Sequence, residues 1–280
     1  MTPYDGKVIL ITGATDGLGK KVALDLTAGG ATVLLHGRSQ QKGEATLQEI
    51  RQATGSQKLS YYNADFSSLD AVRRLSDQVL ADQKRLDILI NNAGLGAGSR
   101  QSGREMSADG FELRFAINYL APFLLTHRLL PLLRQSAPAR IVNVSSAGQQ
   151  HIDFDNVMLE HDYDGLRAYR QSKLAQILFT FDLAERLKDS GVTVNCLHPS
   201  SLMNTKMVFD TDYFGAPMTT IEEGAHAVEY VATSPEVEGM SGEYFDREKR
   251  AHADPQAYDP QARAQLWALS KKLVKLTEAN

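Results

Sequence analysis

Along the chain, short and nearly continuous apolar runs alternate with longer stretches of helical spacing. "KVILIT" (residues 7–12), "ATVLLHGR" (31–38), "KLSYYNADF" (58–66), "LDILINNAG" (86–94), "RIVNVSS" (140–146) and "VTVNCLHP" (192–199) read as strands. Between them, "GKKVALDLTAGG" (19–30), "QQKGEATLQEIRQATG" (40–55) and "SLDAVRRLSDQVLADQK" (68–84) carry apolar residues at helical intervals, the first two ending on glycine. A long helix is expected over Phe111–Leu133 and another over Leu166–Lys188, stopping before Gly191. The strands lack in/out alternation, so both faces of the sheet are expected to be covered, which is the habit of parallel sheets in α/β proteins. Right-handed crossovers then give a doubly wound parallel sheet of about seven strands with helices on both faces. No repeat, low-complexity segment or Pro/Ser-rich linker interrupts the pattern, so residues 1–280 are expected to form one domain. In the tail, Leu266, Leu269, Leu273 and Leu276 fall at helical spacing beside Trp267, which predicts a C-terminal helix over about 261–276 packing back on the domain.

Composition narrows the function classes. The net charge of −4 gives no basic stripe for nucleic acid. One cysteine, Cys196, excludes an intrachain disulfide, fits a reducing compartment, and reads as a small buried apolar residue. The start "MTPYDGKVIL" lacks a cleavage site, and no run approaches the ~20 apolar residues of a membrane span. A cytoplasmic location without membrane partners is the expectation. The acidic segment with Asp153, Asp155, Glu160, Asp162 and Asp164 matches neither a calcium loop nor a zinc site. It reads as a solvated insertion, and no metal is expected.

Candidate chemistry begins with "TGATDGLG" (12–19), which follows the first strand and opens the first helix. A dinucleotide-binding Rossmann fold places its pyrophosphate there, against the N–H groups and positive potential of a helix N-terminus. Gly13 lets the chain turn, and Gly17 and Gly19 permit close backbone approach. An NAD site usually ends its second strand with an acidic residue on the ribose. Here the segment is "LLHGRS", with Arg38 and no carboxylate, which favours the 2′-phosphate of NADP over NAD. Asp16 inside the loop runs mildly against that preference. "AYRQSK" (168–173) holds the only Tyr-x-x-x-Lys, and its Tyr169 and Lys173 share one helix face.

Taken together, these motifs resemble the short-chain dehydrogenase/reductase superfamily. The glycine spacing, "NNAG" (91–94), Asn118 in "FAINYLAPFLLT", "VNVSS", "YRQSK" and "NCLHP" occur in its order over about residues 6–250. "AYRQSKLAQILF", the long gap between Ser146 and Tyr169, and the "SGEYFDREKR…LWALSKKL" tail are similar to the retinol dehydrogenase-like and WW-domain oxidoreductase-like branch. The resemblance implies an alcohol/carbonyl oxidoreductase. Tyr169 would be the acid–base, Lys173 its electrostatic tuner, Ser146 a donor to the carbonyl oxygen, and Asn118 a support for a water-linked relay. A neighbouring ammonium is expected to lower the phenol pKa of Tyr169. It also implies cofactor contacts from Gly13, Thr15, Asp16, Gly17, Leu18, Gly19, Arg38, Asp65, Phe66, Asn92, Ala93, Gly94, Tyr169, Lys173, Pro199, Ser200 and Thr205.

One departure is "HPSSLMNT", where Ser200 replaces the usual glycine and Asn204 stands five residues after Pro199, with Thr205 at six. Either Asn204 or Thr205 can hold the carboxamide. Residues 200–222 correspond to the family's mobile substrate lid. Met203, Met207, Phe209, Tyr213 and Phe214 there suit a lipophilic or aromatic substrate, or serve packing alone. His198 reads as a structural hydrogen-bonding residue. Relatives often form homodimers through the long helices. The rival reading is an NADP-binding sensor or scaffold without turnover, which would not need the Asn118, Ser146, Tyr169 and Lys173 set.

Overall fold

The computed structural model describes residues 3–276. Its strands are β1 (Val8–Ile11), β2 (Thr32–Gly37), β3 (Leu59–Asn63), β4 (Ile88–Asn91), β5 (Ala139–Val144), β6 (Val192–His198), β7 (Tyr244–Asp246) and β8 (Lys249–Arg250). They form one sheet in the order β3-β2-β1-β4-β5-β6-β7-β8. Every pairing is parallel except the short antiparallel β7–β8 ladder, the one strand beyond the expected seven.

The helices are α1 (Gly17–Ala28), α2 (Gln40–Thr54), α3 (Leu69–Asp82), α4 (Leu113–Phe115), α5 (Ala121–Gln135), α6 (Gly165–Arg186), α7 (Lys206–Phe209), α8 (Ile221–Thr233) and α9 (Pro260–Leu273). Ser39, Ser68, Asp164 and Thr220 cap α2, α3, α6 and α8 by accepting from backbone N–H groups one turn in.

The continuous apolar strands follow from two cores. Ile9, Ile11, Val33, Leu35, Ile88 and Ile90 face the layer that holds α1 and α8. Leu10, Leu34 and Leu89 point the other way, into the layer of α3, α5 and α6. Leu10 is in register with both Leu34 and Leu89 and has no exposure. Truncating it to alanine would cost about 2–5 kcal/mol.

The expected Phe111–Leu133 helix is not continuous. Between α4 and α5 the chain makes a π-helical turn, Ala116–Leu120, closed by the Ala121 N–H on the Ala116 carbonyl. Pro122 has no N–H to offer the Asn118 carbonyl one turn back, so the ordinary i→i−4 ladder fails there. The third strand stops at Asn63, leaving Ala64, Asp65 and Phe66 to turn over the sheet edge. The last helix ends at Leu273, before Leu276. It lies on α6, with the Arg186 guanidinium 3.9 Å from the Trp267 ring centre and Trp267 edge-on to Phe123 at 5.4 Å.

This topology places the functional end. The chain leaves β1 for β2 on one side and returns to β4 on the other, so the loops after β1 and β4 part at their C-terminal ends. A crevice at such a switch point is where open α/β sheets bind ligands.

Candidate active site

A cleft of about 1500 Å³ opens at that point. Gly13, Thr15, Asp16, Gly17, Leu18 and Gly19 form one wall. Gly13 has φ +67°, and a Cβ there would fall 2.8 Å from Ala93 Cα. Gly19 is required for a different reason from the expected one. A Cβ on it would meet the Gly13 carbonyl at 2.3 Å and Asn92 Nδ2 at 2.4 Å, so Gly19 serves loop packing. Asn92 fastens the loop by donating to the Thr12 and Gly13 carbonyls. Thr12 Oγ1 accepts from both Asn92 N and Ala93 N at 2.9 Å. The N–H groups of Gly13, Ala14 and Gly17 are engaged by His36 Nδ1, the His36 carbonyl and Asp16 Oδ1. No described residue accepts from Thr15, Asp16, Leu18 or Gly19 N–H. Four open amides at a helix N-terminus are the donor set that a dinucleotide's phosphates need.

At the end of β2, Arg38 is exposed, lines the cleft and pairs with no described residue. Tyr61 holds the loop beneath it, its one hydroxyl proton shared between the Gly37 and Ser39 carbonyls at 2.9 and 2.8 Å. Lys42, one turn further, also lines the cleft. Asp65 and Phe66 line it from the β3 side. Asp16 is less adverse to an anion than its charge suggests. Its carboxylate caps Gly17 N and pairs with Lys206 at 2.8 Å, and Lys206 holds its pKa below the ordinary value.

Deeper in, β5 delivers Ser146 and α6 delivers Tyr169 and Lys173. From the position of Gly148, a Cβ would lie 3.4 Å from Ser146 Oγ and 3.8 Å from Tyr169 Cε1, so the two side chains share one wall. Lys173 is 3% exposed. Its Nζ donates to the Val144 carbonyl at 2.9 Å and Gln176 Oε1 at 3.1 Å, and lies 5.8 Å from the Tyr169 ring centre.

Burial dominates both titrations here. It pulls Lys173 down to about 7. It raises Tyr169 above its ordinary value, opposed in part by the Ser146 hydroxyl. The phenol is therefore raised and not lowered as expected, because burial of the ring dominates its titration. Asn118, with no exposure, braces the loop after β4. Its Oδ1 accepts from Leu95 N at 2.7 Å, and its Nδ2 donates to the Leu95 carbonyl and Ser172 Oγ. A Cβ on Gly94 would sit 3.4 Å from Asn118 Oδ1 and 3.5 Å from Lys173 Nζ, which places Gly94 beside both on the floor of the cleft.

The segment 200–222 crosses the cleft mouth. Thr205, half-buried, sets its methyl 3.5 Å from where a Gly17 Cβ would be, whereas Asn204 is exposed. The segment is tied to the body at several points. Lys206 pairs with Asp16, Arg100 N donates to Asp212 Oδ1, and Tyr213 Oη donates to Asp164 Oδ2. Met207 packs over Gly96. Pro199 and Ser200 line the cleft beneath it.

Comparison with known proteins decides the family. The short chain dehydrogenase family model matches residues 7–212. The chain belongs to the short chain dehydrogenase family. Within it the chain lies in the retinol dehydrogenase-like branch. It is 37% identical to human retinol dehydrogenase 13 over 287 residues, 97% of this chain and 85% of the relative. It is 39% identical to human retinol dehydrogenase 14 over 297 residues, 97% and 87% respectively. Among solved structures, an uncharacterised protein from Mycobacterium paratuberculosis superposes with a TM-score of 0.80 at 30% identity, covering 98% of this chain and 96% of that one. A short chain dehydrogenase from Shigella flexneri, complexed with NADP, gives a TM-score of 0.71 at 26% identity, covering 89% and 99%. Membership makes this chain an oxidoreductase of CH–OH groups with a nicotinamide cofactor. Among the described residues, no helix is long and apolar enough to cross a membrane, and no cluster of metal-ligating side chains exists.

Several residues around this short chain dehydrogenase site carry no signal in sequence. His36, Tyr61 and Gln176 reach it through contacts between distant segments. Lys42 had one available signal, a second cation one helical turn after Arg38.

Proposed function

We propose that this chain is an NADP-dependent oxidoreductase that interconverts a lipophilic alcohol with its aldehyde or ketone, with Tyr169, Ser146, Lys173 and Asn118 as its reacting set. The observation that carries this reading is the convergence of Tyr169 and Ser146 on one wall, with buried Lys173 behind them, at the inner end of a cleft whose outer end offers four open amides and Arg38. A bound nicotinamide supplies the hydride chemistry. The chain's own residues manage the proton and the substrate. Tyr169, raised above its ordinary pKa, keeps its Oη proton at neutral pH and can give it to a carbonyl oxygen. Ser146 Oγ donates a hydrogen bond to the same oxygen and stabilises the charge that develops there. Lys173, held near 7, exchanges its proton at working pH and resupplies the phenol. The Asn118 side chain is committed to Leu95 and Ser172, so its part in a relay falls to its backbone carbonyl, which Pro122 leaves without an N–H partner one turn on.

Thr15, Asp16, Leu18 and Gly19 would hold the pyrophosphate, with Asp65, Phe66, Asn92, Ala93 and Gly94 walling the adenosine and ribose side. Of the two candidates for the carboxamide, Thr205 is supported by its place over Gly17. Residues 200–222 act as a lid, and its Met207, Val208 and Phe214 line the cleft with Leu95 and Leu166. That apolar lining, and relatives named as retinol dehydrogenases, support a long lipophilic alcohol or aldehyde as substrate. Tyr169→Phe tests the reading. Turnover in a cofactor-coupled screen of aldehydes and ketones should fall by about 10²–10⁴, while NADP still binds. An unchanged rate in that variant overturns the assignment.

A further inference from the structure

His36 lies inside the sheet at 3% exposure, and both its ring nitrogens are used. Gly13 N donates to its Nδ1 at 3.3 Å, so Nδ1 is the bare nitrogen and the proton is on Nε2, which reaches the Ala64 carbonyl at 3.0 Å. Its own carbonyl accepts from Ala14 N at 2.8 Å. The ring stacks on Phe66, with centroids 4.2 Å apart and planes 20° from parallel. One residue of β2 thus ties the loop after β1 to the turn after β3. The tie is chemically selective. An imidazolium would present N–H to Gly13 N–H, and an aliphatic residue would leave Gly13 N–H and the Ala64 carbonyl unpaired.

We propose that His36, as the neutral Nε2–H tautomer, is a positioning residue for the nucleotide: its ring turns the Gly13 amide inward, beside the Ala14 amide held by the backbone carbonyl of the same residue, and so sets the loop that leaves the Thr15, Asp16, Leu18 and Gly19 amides open. The proposal rests on the cofactor reading above. The charged group that acts on the ring is Asp65, from the turn after β3. Asp65 Oδ1 is accepting from Ser67 N. Burial holds the ring neutral, pushing its pKa down to about 4 against the weaker pull of the Ala64 hydrogen bond and the Asp65 charge.

The effect belongs to the pyrophosphate end, which NADP and NAD share. Replacing His36 should weaken both cofactors by the same factor, whereas a change at Arg38 should alter their ratio. The experiment is calorimetric titration of the full chain with NADP and with NAD at pH 7.5, using His36→Leu, His36→Met and His36→Asn. Two apolar variants are included so that one failure to fold leaves the test standing. Asparagine places its Oδ1 where Nδ1 of the ring stands and so can still accept from Gly13 N–H. A lost buried hydrogen bond and a reoriented loop should raise Kd about tenfold in the Leu and Met variants, equally for both cofactors. His36→Asn should recover most of that loss. In ¹⁵N spectra of labelled wild type, the His36 ring should stay a neutral Nε2–H tautomer from pH 8 to pH 5. Apolar variants that bind within twofold of wild type, an Asn variant no better than Leu, or an imidazolium at pH 5 would each overturn the proposal. Wild type that binds neither cofactor sinks the cofactor reading instead.

Discussion

A tyrosine that exchanges protons with a substrate needs a pKa suited to its direction of work. In this protein, burial raises Tyr169 and lowers Lys173, so the pair sits as phenol and labile ammonium rather than tyrosinate and fixed ammonium. Sequence shows that the two share a helix face, because spacing alone decides that. It cannot show the sign of the shifts, which depends on how much water the surrounding segments remove. His36 shows the same limit: in sequence it marks only a missing carboxylate, and its partners lie 23 and 28 positions away along the chain. The place of Arg38 at the cleft was legible because strand ends are legible, and its proposed role is testable at the residue scale. Its guanidinium is exposed and unpaired by described residues, free to clasp a 2′-phosphate that a carboxylate would repel. Arg38→Asp should raise the Kd for NADP by at least about tenfold and leave NAD unchanged or improved, since a bidentate charged contact is worth about 1.5–3 kcal/mol. Parallel titrations with both cofactors check this, and an unmoved NADP/NAD ratio counts against Arg38.

At the scale of elements, periodicity located the first six strands and the helices between them but not α8 or the short β7 and β8, and its errors have physical causes. The helix expected over Phe111–Leu133 is split by a π turn that brings Asn118 against Leu95, where Pro122 disrupts the regular ladder. The hydrophobic pattern runs through that break unchanged, so it carries no warning. The packing of α1 against α8 holds a second feature that patterns do not show. Glu229 on α8 faces Asp25 on α1, and Lys21 bridges to Asp25 at 2.7 Å. Glu229 Oε1 is buried without a partner. Burial first, and then the Asp25 charge, push its pKa above the ordinary carboxyl value. The folded state therefore holds a proton that the unfolded chain releases above about pH 4.3. Stability from this site is greatest below that pH and declines as the pH rises through the folded value. Glu229→Gln keeps the shape and removes the titration. It should raise the melting temperature at pH 8 by roughly 3 °C, as about 1 kcal/mol would in a chain of this size, and change it little at pH 4.5. Equal shifts at both pH values would show that the charge is not the cause.

At the scale of the molecule, the sheet order explains why motifs scattered from residue 12 to residue 205 meet in one cleft. The Gly13 loop follows β1, the Gly94 loop follows β4, Ser146 follows β5 and Pro199 follows β6, all at the same sheet edge. What the motif order could not convey is where the tail goes. Helix α9 lies over the apolar faces of α5 and α6, the long helices through which relatives were expected to dimerise. Trp267 packs with Phe123, His127 and Phe179, beneath the Arg186 guanidinium. Ser270 Oγ and Tyr119 Oη lie 2.6 Å apart and anchor the helix to the π turn that carries Asn118. The chain's own tail thus covers this face of α5 and α6 and joins it to the floor of the site. Trp267→Ala should cost about 3 kcal/mol, as large aromatic truncations in packed clusters do, and lower the melting temperature by several degrees. Loosened α9 would bare leucines and phenylalanines of α5 and α6, so the variant should also self-associate more than wild type. Light scattering of both proteins at matched concentration measures this. A variant with unchanged mass and melting point would show that α9 does not guard this face.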